Sequence, residues 1–227
     1  CTYASGGAPT LNRMWHDKTL YGDRHVIHLA NGDSFGISQK IAAFFDDHLV
    51  PLFLNAMHLD FDILGNHNFD KTLEYLNSVL ERSNYSYLST NLINASKVLT
   101  KVSPYAIYEV PAEDGVSQPL RVAVIGGIDS DAIDKVYPGR FGTIAVNNFC
   151  SIVQALEKAY NQNARAFFIL AHVSTNGTGL PELLNALFSF KDKNYLSECA
   201  SILEVPQERL PEEYVQKGIT SIDKTDE

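Results

Sequence analysis

Ile63-Leu64-Gly65-Asn66-His67-Asn68-Phe69-Asp70 is the stretch around which the rest of the chain can be read. Residues 61–64 suit a buried strand, and Asp70 is a good N-cap for a helix with Leu73, Leu76 and Leu80 on its apolar face. The polar triplet between them sits where a strand ends and a helix begins. In open α/β sheets, the crevice beyond the carboxyl ends of the strands is where ligands bind. Asn66 and His67 would offer a neutral oxygen and an imidazole there. Taken alone, Asn-His-Asn is also ordinary turn chemistry.

Two further strand ends carry polar groups. Residues 26–30 form a short apolar run that ends in Asn31-Gly32-Asp33-Ser34. Residues 166–171 form another, with His172 immediately beyond it. Divalent metals used in hydrolysis take carboxylate, imidazole and neutral oxygen ligands. Asp33, Asn66, His67 and His172 are therefore expected to converge in one cleft.

Between these points strands and helices alternate, which places the chain in the α/β class. Helices are expected from Ser5 to the break at Gly22-Asp23, over residues 38–45 and 50–59, and from Asp70 to about Ser83. Strands are expected over 87–92, 105–110 and 120–126, with a loop starting at Gly126-Gly127-Ile128-Asp129. Phe149, Ile152, Val153, Leu156 and Tyr160 give a later helix its core face. Residues 181–188 read as helical, and so does 195–203. Residues 204–227, with Pro206, Pro211 and many charges, read as a polar tail beyond a domain of residues 1–203.

The chain has 227 residues, enough for one large core, and a net charge of -9. That charge argues against nucleic acid as a partner, because basic side chains supply phosphate-backbone affinity. No apolar run reaches the length of a membrane span. Cys1, Cys150 and Cys199 do not make a disulfide framework, and Cys150 and Cys199 read as buried small residues. The start at Cys1 reads as that of a processed or excerpted piece. Sequons at Asn84, Asn94 and Asn176 give weak support to secretion. His16, His25, His48 and His58 fall on helices or turns without a partner pattern, and His28 reads as a satisfied sheet residue.

Gly32-Asp33-Ser34, Gly65-Asn66-His67-Asn68-Phe69-Asp70 and Ala171-His172 together resemble successive blocks of the calcineurin-like metallophosphoesterases, closest to the 5'-nucleotidase branch. Ser89-Thr90-Asn91-Leu92 and the strand leading to Gly126-Gly127 also resemble that branch. The likeness runs from about Gly6 to His172. It implies a four-layer α/β/β/α sandwich, helices outside two packed sheets, with two divalent ions at the strand ends: Zn, Mn or Mg by family habit. Carried over residue by residue, Asp33 would bridge the metals and Asn66 and His172 would ligate the second. His67 would act on the phosphate or leaving group, oriented by Asp70. The implied reaction is hydrolysis of phosphate esters, nucleotides above all, by in-line attack of a metal-bound hydroxide. The implied location is secreted, periplasmic or cell-surface.

The departures from the family bear on activity. Asn68 stands where the family has an acidic residue, which alters a supporting contact. The family's first D-x-H block is missing. Asp23-Arg24-His25 has its letters but precedes the strand instead of ending it, and reads as a surface turn. No histidine follows His172, so the later G-H-x-H block is missing too. The first strand is expected to lie upstream of Ser5. Two functions stay open: a metal-dependent phosphohydrolase represented by part of its catalytic domain, or an inactive relative that keeps the fold as a binding or structural module.

Overall fold

The structure, a computed structural model, describes residues 7–22, 24–36, 38, 40–112, 118–175, 177 and 179–189. Expectations for Ser5, Asp23, residues 195–203 and the tail at 204–227 fall outside these residues. Helix α1 (Ala8–Trp15) starts with Pro9 in its first turn, where the missing N–H costs nothing. It stops well before Gly22, because the Asp17 carboxylate accepts the Thr19 amide and starts a new short helix, α2 (Lys18–Tyr21). Helices α3 (Lys40–Phe44) and α4 (Leu49–Ala56) follow. The second ends short of Leu59, where His58 turns left-handed (φ 57°).

Residues 26–30 contribute less strand than expected. They make one parallel bridge, Leu29 to Phe61, and the His28 carbonyl accepts the Asp60 and Phe61 amides. Strand β1 (Phe61–Ile63) then pairs in parallel with β2 (Ser86–Leu88). Between them runs α5 (Leu73–Leu80), whose Leu76, Val79 and Leu80 are fully buried. Its N-cap is Thr72, which accepts the Tyr75 amide, and not Asp70. Residues 66–69 form a turn of 3₁₀ helix that delays the α-helix, and Asp70 faces back toward His67.

After β2 come β3 (Leu92–Ile93), α6 (Ala95–Val98) and β4 (Val102–Ser103), the last parallel to β2. The expected single strand over 87–92 is thus broken at Ser89. The fully buried Asn91 side chain takes over the pairing: its Oδ1 accepts from Ile128 N and its Nδ2 donates to Ile128 O. Strand β5 (Tyr105–Val110) is antiparallel to β6 (Leu120–Ile128). Strand β6 does not break at its glycines, because Gly126, Gly127 and Ile128 remain paired with Leu170, Ala171 and His172 of the parallel strand β8 (Ala166–His172). His172 is accordingly the last residue of its strand. Strand β7 (Ala145–Val146) pairs with β3.

The sheets β1-β2-β4 and β5-β6-β8 pack through Ile63, Leu88 and Val124. A Cβ at Gly126 would run into the Leu88 carbonyl, so only glycine permits this approach. On the far side of β6 lie α7 (Cys150–Asn161) and α8 (Gly179–Phe188), packed through Ile152, Val153 and Leu183 onto Ala123 and Ile125. Leu64, Tyr87, Leu76, Val79 and Leu80 share a second core. Tyr160 turns outward under the Arg165 guanidinium, because Ala155 and Ala159 hold the centre of the buried face of α7.

Three histidines without a pattern in sequence meet in space. The His16 ring lies 5.5 Å from that of His28 and 5.7 Å from that of His58, and His28 stacks on Trp15. His48 bonds Ser78, while Arg24 and His25 are exposed. Cys150 is disulfide-bonded, which corrects its reading as a free buried residue; its partner lies outside the described residues. Among the described residues no helix is long and apolar enough to cross a membrane.

Candidate active site

The carboxyl ends of parallel strands in the two sheets bring the polar residues together. Asp33 follows the bridge at Leu29, the 3₁₀ turn follows β1, and His172 ends β8. Asp33 Oδ1 accepts the His67 amide at 2.9 Å, and Asp33 Oδ2 lies 3.0 Å from His172 Nε2. His172 Nδ1 lies 2.9 Å from the Asn31 carbonyl, so both ring nitrogens are directed. The Asp33 carboxylate raises the His172 pKa above its ordinary value; burial opposes this, and the Asn31 carbonyl adds to it.

Gly65 is fixed by this approach, since a Cβ there would collide with the Asp33 carboxylate. Asn66 opens the turn beyond Gly65 and is half-buried. The His67 ring points Nδ1 at both oxygens of Asp70, 3.1 and 3.2 Å away. With Nδ1–H given to the carboxylate, Nε2 is the nitrogen left to face a ligand. Direct contacts thus link Asp33, His67, Asp70 and His172, although 139 residue positions separate the first from the last, and Asn66 adjoins His67 in the chain.

Two residues support this arrangement: Asp62, which went unread in the sequence, and Asn68, which was read there as a departure that alters a supporting contact. Asn68, almost wholly buried, accepts the Gly65 and Asp33 amides on Oδ1 and donates Nδ2 to the Phe35 carbonyl. It therefore ties the turn after β1 to the loop that carries Asp33. Asp62, fully buried in β1, accepts from Gly32 N, Ile63 N and the Ser34 hydroxyl. Burial pushes the Asp62 pKa up, and its three donors pull it back. A charge in an apolar strand was the available signal, because such a group is kept only where it is partnered.

Beyond Ile128 the chain adds a charged edge. Asp129 donates its amide to the His172 carbonyl, and its carboxylate accepts from Ser174 N and Lys135. Among the described residues, no three His, Cys, Asp or Glu side chains are grouped so as to hold a metal ion.

No family model matches the chain. It is 25% identical over 130 residues to the 2',3'-cyclic-nucleotide 2'-phosphodiesterase/3'-nucleotidase of Salmonella typhimurium, covering 56% of this chain and 20% of that protein. The Haemophilus influenzae protein of the same description is 31% identical over 75 residues, covering 32% of this chain and 11% of that one. The chain therefore spans a fifth or less of the length of these curated relatives. Among solved structures, it is similar to a putative 5'-nucleotidase from Staphylococcus aureus, with a TM-score of 0.63, 20% identity, 83% of this chain covered and 38% of that one. The NAD nucleotidase of Haemophilus influenzae gives 0.61 and 23%, covering 75% and 29%. The calcineurin-like phosphoesterase YfkN of Bacillus subtilis gives 0.58 and 22%, covering 75% and 55%. The fold is that shared by these calcineurin-like phosphoesterases and nucleotidases.

Proposed function

We propose that the cleft at Asp33, His67 and His172 hydrolyses phosphate esters of small molecules, nucleotides first among them. The observation that carries this reading is the Asp33 carboxylate, set between the His67 amide and the His172 imidazole with the His67–Asp70 pair beside it. The nucleotidase and phosphodiesterase names of the relatives support the substrate class. The four-layer sandwich implied by the resemblance belongs to this proposal as well.

The donor set can be tested against the divalent ions that the resemblance implies. One carboxylate, one imidazole whose other nitrogen is held by a carbonyl, and the neighbouring Asn66 amide fit one ion. They do not fit two, because among the described residues no third His, Cys, Asp or Glu joins Asp33 and His172 as a ligand. Asp33, His172 and Asn66 would hold the single ion, with affinity limited by so few ligands. Such an ion, when bound, stabilises charge on phosphoryl oxygens and acidifies water.

The chain's own residues account for the rest. Asp70 holds the His67 ring so that Nε2 can hydrogen-bond a phosphate oxygen or return a proton to the departing alkoxide. The net charge of -9 is unfavourable for a polyanionic nucleic acid, and a small phosphate ester is the substrate class proposed. The disulfide at Cys150 supports a secreted, periplasmic or cell-surface location, where thiols are oxidised. The test is phosphate release from AMP, and opening of 2',3'-cyclic AMP to the monophosphate, in added manganese. Slow release that Asp33→Ala abolishes is the expected result; release that survives Asp33→Ala overturns the assignment.

A further inference from the structure

Asp62 occupies the middle of β1 with no exposed surface, between Phe61 and Ile63. A carboxylate there is tolerated only if its oxygens are partnered. Oδ1 accepts Gly32 N at 3.1 Å and Ile63 N at 2.8 Å, and Oδ2 accepts the Ser34 hydroxyl at 2.6 Å. Two of these three donors flank Asp33 directly. Asp33 itself is left-handed (φ 54°), a conformation that a side chain adopts only where its surroundings impose it. Its own amide is held by Asn68 Oδ1 at 3.3 Å. With the backbone so held, Asp33 Oδ1 meets the His67 amide and Oδ2 meets His172 Nε2.

We infer that Asp62 is a positioning residue, gripping both neighbours of Asp33 and so fixing the turn that aims the Asp33 carboxylate at His67 and His172. It touches no substrate and acts through Asp33; its importance for chemistry rests on the function proposed above. Packing of β1 does not require it, since an apolar residue of similar size would fill the space. The carboxylate is needed because the loop crossing above β1 presents an amide and a hydroxyl that both donate.

The test uses the full chain with Asp62→Val and Asp62→Asn. Valine removes the acceptors. Asparagine keeps Oδ1 for the two amides and can donate Nδ2 to a rotated Ser34 hydroxyl. The readout is hydrogen exchange of the His67 amide, whose acceptor is Asp33 Oδ1. Asp62→Val should speed that exchange about tenfold, the equivalent of one lost hydrogen bond, with β6 amides unchanged. Asp62→Asn should restore it to within about threefold of the parent. In an Asp33→Ala background, Asp62→Val should add nothing. Should the valine variant not fold, Ser34→Ala serves as the milder cut and should give a smaller rise confined to His67. Unchanged His67 exchange, a rise shared equally with β6, or an effect that persists without Asp33 overturns the positioning role. Zinc titration of the parent separates the two claims: absence of zinc binding contradicts the ion reading, while the exchange result still decides what Asp62 does.

Discussion

Replacing Asn91 tests how the two sheets are joined beneath the cleft. Its side chain is fully buried and makes three hydrogen bonds: Nδ2 to Ile128 O at 2.7 Å and to Asn147 O at 3.0 Å, and Oδ1 from Ile128 N at 3.0 Å. Ile128 is paired in turn with His172, so the joint lies one residue from the site. Asn91→Ala leaves two buried backbone groups of Ile128 and the part-buried Asn147 carbonyl without these partners, each costing about 1–3 kcal/mol and not fully additive. A loss of about 3–5 kcal/mol follows. At an m-value of about 2.5 kcal/mol/M, the urea midpoint should fall by roughly 1.2–2 M. Asn91→Asp is the sharper variant, because it is isosteric and keeps the acceptor. Its second oxygen would face two carbonyls, so at pH 7 it should cost at least as much as alanine. The deficit should shrink toward acid pH, where a protonated carboxyl can donate again. A parent-like Asn91→Asp at pH 7, or an Asn91→Ala loss below about 1 kcal/mol, would refute this account of the joint.

Thr72→Ala should cost about 0.5–2 kcal/mol through loss of the α5 cap, measured by urea melting, whereas Asp70→Asn should cost that helix little. The Asp129 carboxyl is pushed up by burial, but the hydrogen bonds from Lys135 and Ser174 outweigh this and hold its pKa below the ordinary value. Its contribution is therefore present above the unfolded carboxylate range and lost as pH falls through the lowered folded value. The stability gap between the parent and Lys135→Ala should accordingly persist at neutral pH and close only as pH falls below the ordinary carboxylate range. In assays of phosphate release, His67→Ala should cut turnover about 10²–10⁴-fold while leaving bound metal unchanged; loss of the metal would make His67 a ligand instead.

The α/β class and the three polar strand ends were legible because each element carried its own periodicity and its own punctuation. The 105–110 strand was read to its ends, since alternation and β-branching agreed there. Errors arose where tertiary partners overrode local signals. The Gly126-Gly127 pair looks like a chain break, yet it allows two sheets to touch and stays within β6. Asp70 is a strong capping residue that is engaged by His67, so Thr72 caps α5. Asn91 behaves as backbone, which no sequence pattern announces. In the site, Asp33, His67, Asp70 and His172 were visible as motif letters. Asp62 was missed, and Asn68 was read only as altering a supporting contact, because the partners of both lie on a loop about thirty residues away in the chain.

The most direct test of the proposed site is calorimetric titration of the chain with manganese or zinc, beside Asp33→Ala. The account predicts one weakly held ion per chain, abolished by that substitution. Two tightly bound ions, or binding that Asp33→Ala leaves intact, would contradict it.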